Sequence, residues 1–300
     1  MKNSELVRLY LSLVRDRWSL GFIEESLSDI ISGGSYMIHK VKGIPRDRWY
    51  ADPFILDYNE DLIELLVEEW RYKNHKGRIA RLVIDRRSYQ LREEHIILDL
   101  DTHLSFPFIE RRGNEIYVSP ENSMSGGWHQ YRYDRSSDRL IRTKTIIGEP
   151  LTDAICTDLL GEELIFSTKV PDSNGSVLCV YNREGNKMQE ITFPANFARG
   201  AGDWFLVGNC IYRPAQNCNG AYGRSVIIQK VFVRKDGTLD FDDIIEIRST
   251  IHNFTRGCHT FNSYKNLIVV DLFGYKHRLL GPLTDAFKAM CSKIKSITLS

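Results

Sequence analysis

The sequence predicts an all-β chain, a single five-bladed β-propeller with short helical extensions at both ends, and three observations carry that reading. One phrase recurs five times: a short motif, an apolar strand, a Gly/Asn/Asp turn and a second apolar strand ending in polar residues. Its copies open at Ala51-Asp52-Pro53-Phe54, Ser105-Phe106-Pro107-Phe108, Thr152-Asp153-Ala154-Ile155, Arg199-Gly200-Ala201-Gly202 and Cys258-His259-Thr260-Phe261. Aligned on Pro53, Pro107, Ala154, Ala201 and Thr260, they lie 54, 47, 47 and 59 residues apart, a period that suits a blade of several strands. Five such units fill the 300 residues with little left over.

Residues 1–30 read as a helix followed by the apolar run Trp18–Phe22. A loop over 32–35 and an alternating strand over 36–41 come next. One of these early strands is expected to join the last blade, because closing the ring removes exposed strand edges. The first blade reads as Phe54–Asp57 innermost, then Leu62–Glu69, Gly77–Asp85 and Gln90–Ile97 at the outer edge. Gly113-Asn114, Gly161, Gly208-Asn209 and Lys265-Asn266 mark the first turn in each later blade. After Thr284, Leu283, Phe287, Met290 and Ile294 share one face of a C-terminal helix, which would pack under the propeller or lie on an anionic membrane surface. The expected organisation is 1–48 as N-terminal helix and closing strands, 49–280 as propeller, and 281–300 as C-terminal helix.

A formal net charge of +1 argues against nucleic acid as a partner, since such binders carry a basic excess. Hydrophobic residues make up 42% and aromatics 11%, enough for a large core. No run approaches the length of a membrane span. The six cysteines form no Cys-x-x-Cys pair and read as reduced core thiols, which with the lack of a signal peptide suggests a cytoplasmic protein.

In a propeller, equivalent repeat positions converge on the axis, so residues far apart in sequence can share one site. At the strand starts those positions hold Asp52, Asp153 and His259; at the ends of the second strands they hold Glu68 and Glu69, Glu121, Lys169, Arg213 with Gln216, and Asp271. Asp-Pro and Asp-Ala could equally be strand-start chemistry. A carboxylate ending an apolar strand must face solvent, pair with a base such as Arg71 or Arg112, or have a shifted pKa. The segment between Arg213 and Arg224, with Gln216 and Tyr222, suits sugar hydroxyls, carboxylates or phosphates, or merely trims a hairpin. His259 reads as a buried, satisfied histidine, a substrate contact or a support for a central cation. Trp70, Tyr72, Trp128 and Tyr131 would stack on pyranose rings or pack between blades.

The phrases Trp49-Tyr-Ala-Asp-Pro-Phe54, Glu68-Glu69, His103-Leu-Ser-Phe-Pro-Phe108, Pro120-Glu121, Leu151-Thr-Asp-Ala154, Tyr212-Arg-Pro-Ala-Gln216, Tyr222-Gly-Arg224 and His259-Thr-Phe-Asn262 resemble one family. It is the propeller that forms the N-terminal part of the plant glucosamine inositolphosphorylceramide transferases. Its bacterial relatives stand alone or fused to formyltransferase-like domains, often among surface-polysaccharide genes. More distantly the pattern is similar to five-bladed glycoside hydrolases of the family 43 and 32 type. That likeness implies an early-blade Asp as base or nucleophile, a middle-blade Asp that orients and tunes, and a Glu as acid. Asp52 matches the first and Asp153 the second. The fourth blade departs from the pattern, offering Arg213-Pro-Ala-Gln216 where family 43 would place the acid. Glu69 or Glu121 would then have to serve.

The resemblance therefore implies a carbohydrate-active propeller acting on a sugar, sugar nucleotide or sugar–lipid intermediate of surface-glycan assembly. Asp52, Asp153, Glu121 and Glu69 are the catalytic candidates; Arg213, Gln216, Arg224, His259, Trp70 and Tyr222 are the binding candidates. No cofactor is expected beyond a central cation near His259, and a peripheral membrane or polysaccharide-assembly partner is compatible with the tail. The alternative is a non-catalytic glycan-binding or scaffolding propeller, which the missing fourth-blade acid favours.

Overall fold

The computed structural model describes residues 16–277, 279–283 and 286. The chain starts on the outside of its last blade with β1 (Asp16–Ile23), a short helix α1 (Leu27–Ile31) and β2 (His39–Lys40). Four blades follow, each a four-stranded antiparallel sheet in chain order. They are β3–β6 (Arg48–Tyr58, Leu62–Arg71, Gly77–Asp85, Leu91–Leu98) and β7–β10 (Ser105–Arg112, Glu115–Glu121, Trp128–Asp134, Arg139–Ile147). Then come β11–β14 (Leu151–Thr157, Leu164–Lys169, Val177–Asn182, Lys187–Thr192) and β15–β18 (Phe205–Val207, Cys210–Asn217, Ser225–Val233, Leu239–Ile247). The fifth blade is β19 (Phe261–Tyr264) and β20 (Leu267–Tyr275), completed by β1 and β2.

The expected ring closure is present: β1 pairs antiparallel with β20 from Asp16↔Tyr275 to Ile23↔Ile268. Those residues correct part of the helical reading of 1–30, since 16–23 is strand and, among the described residues of that stretch, helix is confined to Leu27–Ile31. Trp18, Leu20, Phe22 and Ile23 are all buried there, and neighbours on both faces suit an inner sheet position better than an amphipathic helix. The rest of the expected N-terminal helix lies outside the described residues. At the other end residues 280–283 are helical, and Phe287, Met290 and Ile294 fall outside the described residues.

Apolar side chains on the strand faces pack blade against blade. One core runs from Phe54 and Leu66 through Phe106, Phe108 and Trp128 to Phe166, Tyr181 and Trp204; another joins Leu20, Phe22, Leu65 and Val269 across the closing seam. Trp128 and Tyr131 belong to the first of these cores, Trp128 with its ring against Phe108 of its own blade, and neither lines the cleft described below.

A single irregularity repeats in the innermost strands. In β3, β7 and β11, two residues oppose one on the next strand, at Asp52-Pro53, Phe106-Pro107 and Asp153-Ala154. The first residue of each pair is left-handed, with φ of 49°, 42° and 46°. Such bulges re-aim side chains and expose backbone N–H groups that the ladder would otherwise use. In the first three of its five copies, the recurrent motif of the sequence is this bulge.

Candidate functional site

Where the innermost strands begin, a cleft of about 390 Å³ opens, lined by Trp18, Trp49, Trp70, Tyr72 and Tyr222 together with Glu68, His103 and His259. Trp49 and Trp70 stack in parallel with ring centroids 5.5 Å apart. Trp18 stacks on His259 at 4.1 Å, and Tyr222 meets the same imidazole edge-on at 5.2 Å. Flat aromatic walls around a few polar groups are the ordinary make-up of a small-ligand site.

Behind this lining the bulges gather buried carboxylates. Asp52 Oδ2 accepts the N–H of Phe106 (3.1 Å) and its Oδ1 accepts the Thr260 hydroxyl (2.8 Å). Asp271, fully buried, accepts the N–H groups of His259 (2.8 Å) and Thr260 (3.1 Å). His259 lies between the two acids, its Nδ1 against Asp271 and its Nε2 3.4 Å from Asp52. Burial opposes charge on this imidazole, but Asp271 and Asp52 outweigh it and raise its pKa.

The other half of the cluster is built around Arg199. Its Nε lies 2.5 Å from Asp153 Oδ2, its Nη2 3.5 Å from Glu121 Oε2, and its Nη1 donates to Asn174 at 2.8 Å. Gln216 adds a second donor to Asp153 (2.6 Å), and Glu121 accepts the bulge N–H of Asp153 (3.2 Å). Burial would raise the Asp153 pKa, but Arg199 outweighs it and holds the carboxyl below its ordinary value. Glu121 goes the other way, pushed well above the usual carboxylate range by burial and then by Asp153.

Asp52 is raised to about 6, first by burial and then by Asp153 and Asp271, with His259 opposing. Glu68 is raised well above its ordinary value by burial and by repulsion from Asp52, Glu121, Asp153 and Asp271. Its Oε1 lies 3.6 Å from Nε2 of His103. Because His103 Nδ1 accepts the Gly77 N–H at 2.8 Å, the ring proton sits on Nε2, facing Glu68. Burial lowers the His103 pKa, favouring that neutral form. Carboxyl groups whose pKa values are pushed up thus sit beside one whose pKa is held down, an arrangement that suits general acid/base chemistry.

Ligand atoms of Asp52, His259 and Asp271 all lie within 4.8 Å of one another, close enough for a small cation. Both imidazole nitrogens, however, already face carboxylates. A proton on His259 supplies the positive charge there, and a metal would have to displace it.

Among the sequence candidates, Asp52, Glu121, Asp153, Gln216 and His259 converge, and Trp70 and Tyr222 line the cleft. Three residues lie elsewhere, which corrects their placement. Glu69 is sealed in a separate ion-pair group with Arg78 (2.9 Å), Arg48 (3.6 Å) and Arg71 (3.7 Å), because strand neighbours face opposite ways. Arg213 is buried against Phe193 and Phe241, donates to the carbonyls of Phe197 and Ala198, and is pressed down to about 9 by burial. It is three residues from Gln216 on β16, so the two have opposite parity. Arg224 is exposed and donates to the Asn219 carbonyl (3.3 Å).

Sequence reasoning overlooked Arg199, His103 and Trp18, and chose Glu69 over Glu68. Register would have separated the two glutamates: Glu68 pairs with Ala51 and Glu121 with Ser105, each the residue before its bulge. Arg199 opens the fourth copy of the repeat, where its own blade supplies no acid.

The family model "Glucosamine inositolphosphorylceramide transferase 1, N-terminal" matches residues 39–272. Glucosamine inositolphosphorylceramide transferase 1 from Oryza sativa subsp. indica is 28% identical over 148 residues, covering 45% of this chain and 20% of the relative. Its counterpart from Arabidopsis thaliana is 27% identical over 158 residues, covering 46% and 20%. The chain therefore spans about a fifth of the length of the curated relatives it matches. Among solved structures, CoXyl43, a GH43 β-xylosidase/α-arabinofuranosidase from a compost microbial metagenome, superposes with a TM-score of 0.51 at 8% identity, over 75% of this chain and 84% of that one. An exo-1,5-α-L-arabinanase from a bovine ruminal metagenomic library gives 0.50 at 11% identity, over 70% and 87%. At such identities the likeness is one of fold.

Proposed function

This chain belongs to the glucosamine inositolphosphorylceramide transferase 1 N-terminal family, and on that premise we propose that its axial cleft binds and processes a glycoside, the sugar of a nucleotide or lipid intermediate. The observation that carries the reading is Glu68, a buried carboxyl on an aromatic-walled cleft whose pKa is raised by burial and by repulsion from neighbouring acids, Asp52 first among them. Trp49 and Trp70 offer faces for a pyranose ring. As the anomeric C–O bond breaks, Glu68 gives its proton to the departing oxygen. Asp52 takes the proton of the water or hydroxyl that attacks the same carbon. Arg199 keeps Asp153 ionised, and that charge in turn holds up the pKa of its neighbours. Such a step would serve the assembly of a surface glycan or glycolipid, and the glycolipid case is the one named by the relatives, transferases of glucosamine to inositolphosphorylceramide.

One feature favours the second reading, a glycan-binding or scaffolding propeller: the fourth blade presents Gln216, bound to Asp153, rather than an acid. The test is turnover and calorimetric binding of nucleotide sugars, aryl glycosides and glucosaminyl inositol phosphate by the parent and Asp52→Asn. The enzymatic reading expects a rate loss of about 10²–10⁴ with binding retained. Binding without turnover in the parent would establish the scaffold.

A further inference from the structure

The motif His103–Phe108 sends one side chain into the cleft that has no part in the step above. His103 and Leu104 dock on Gly77, the first residue of β5, in both directions. The Gly77 N–H donates to Nδ1 of His103 at 2.8 Å, and the Leu104 N–H donates to the Gly77 carbonyl at 3.1 Å. Trp70 meets the imidazole edge-on at 5.6 Å. The ring is thereby fixed with Nε2 toward Oε1 of Glu68, 3.6 Å away. Glycine at 77 is what lets the two meet, since a Cβ there would come within 2.6 Å of both Glu68 Oε1 and His103 Cε1.

With Nδ1 occupied as an acceptor, Nε2 keeps its proton and can only donate. Two donors cannot face each other, so Oε1 of the protonated Glu68 is its carbonyl oxygen and the acid proton is confined to Oε2. At 3.6 Å the contact is too long for a hydrogen bond to that neutral acid. Once the proton has left, the acceptor is an anion, and hydrogen bonds to ionised acceptors are shorter and about twice as strong. Asp52, Glu121, Asp153 and Asp271 oppose that charge, while Arg199 joins burial in opposing a second proton on His103. The other described titratable groups of the cleft wall are Asp16, Tyr72, His75, Tyr222 and His259. An N–H fixed where charge will appear, and slack until it does, is worth more in the transition state than in the ground state.

We propose that His103 is a positioning residue for acid catalysis, its Nε2–H stabilising the negative charge left on Glu68 as the proton passes to the departing oxygen. The O–H bond of Glu68 breaks, a new O–H bond forms on the departing oxygen, and the electron pair stays on the Glu68 carboxylate. The proton of His103 remains on Nε2 throughout. The inference rests on Glu68 as the acid of the reading above.

The test is a carbon-13 NMR titration of the full chain labelled at its glutamate carboxyls, with the Glu68 signal assigned by its loss in Glu68→Gln. It is run beside pH–rate profiles on aryl glycosides. In His103→Ala the Glu68 carboxyl should titrate about one pH unit higher than in the parent, because a donor to its charged form is gone. kcat and kcat/KM should fall together by about tenfold with KM unchanged, and the alkaline limb of the profile should move up by the same interval. His103→Gln keeps an amide N–H and should restore most of both. Should alanine unfold the chain, His103→Leu, which fills the space without a donor, carries the same expectation. A Glu68 titration that stays put or falls in the folded variant overturns the proposal, whatever happens to the melting temperature. The NMR readout needs no turnover, so a raised titration in the variant with an inactive parent would uphold the pairing of His103 with Glu68 and sink the enzymatic reading instead.

Discussion

Glu68 and Glu69 are neighbours on β4 and serve opposite sides of the blade. Glu68 faces the cleft, with the imidazole of His103 3.6 Å away and no arginine among the described residues paired to it, while Glu69 is clasped by Arg78 at 2.9 Å. Both are buried, and burial alone would raise both pKa values. The difference lies in what surrounds them: cations beside Glu69, four other carboxylates around Glu68. One is arranged for stability and the other against it.

Glu69→Gln should therefore lower stability and spare the cleft. Losing the charge leaves Arg78 and Arg48 less well compensated in a half-buried setting, a cost of about 1–3 kcal/mol. Urea denaturation of the variant should show that loss, with ligand affinity and any turnover unchanged. A variant as stable as the parent but defective in binding would contradict the assignment.

Glu68→Gln should do the reverse. The folded state holds the Glu68 proton more tightly than the unfolded chain does, so the stability it contributes is full below the ordinary glutamate pKa of 4.5 and is lost as pH rises toward the folded value. Gln removes that loss. The variant should melt higher than the parent at pH 8, by about 2–4 °C per kcal/mol recovered, and the gap should close toward pH 4. Turnover should fall.

Arg199→Gln should destabilise the fold by about 3–5 kcal/mol, because Asp153 and Glu121 would keep their buried position without a cation. In the parent, the lowered Asp153 pKa contributes stability above the ordinary value of 3.8, lost as pH falls through the folded pKa. Without Arg199 the sign inverts, and acidification should stabilise the variant. Adding Asp153→Asn should recover part of the loss at neutral pH, a coupling that a double-mutant cycle measures.

Trp70→Ala removes one of two parallel rings from the cleft wall. If a sugar stacks there, affinity should drop by about three- to tenfold, the value of one aromatic contact. The rate constant for bound substrate should change little, since the indole touches no reacting atom. Calorimetry against single-turnover rates separates the two.

The sequence by itself determined the number of blades, their order and the ring closure, because each rests on a local pattern. Alternating apolar strands, turn residues and a motif near every fifty residues need no distant information. It also placed Asp52, Asp153 and His259 at equivalent strand starts and Glu121 at the end of a second strand, and the carboxylates converge because the first and third copies bulge at Asp52 and Asp153. Tertiary structure alone decided which side of a strand a residue serves. Glu68 and Glu69, or Arg213 and Gln216, differ by odd steps along a strand, so a shift of one residue moves a side chain from axis to core. It alone decided charge states as well: Asp153 and Glu121 are both buried acids near Arg199, yet their pKa values move in opposite directions. That outcome depends on Arg199, 46 residues beyond Asp153 in the chain and 2.5 Å from it in space.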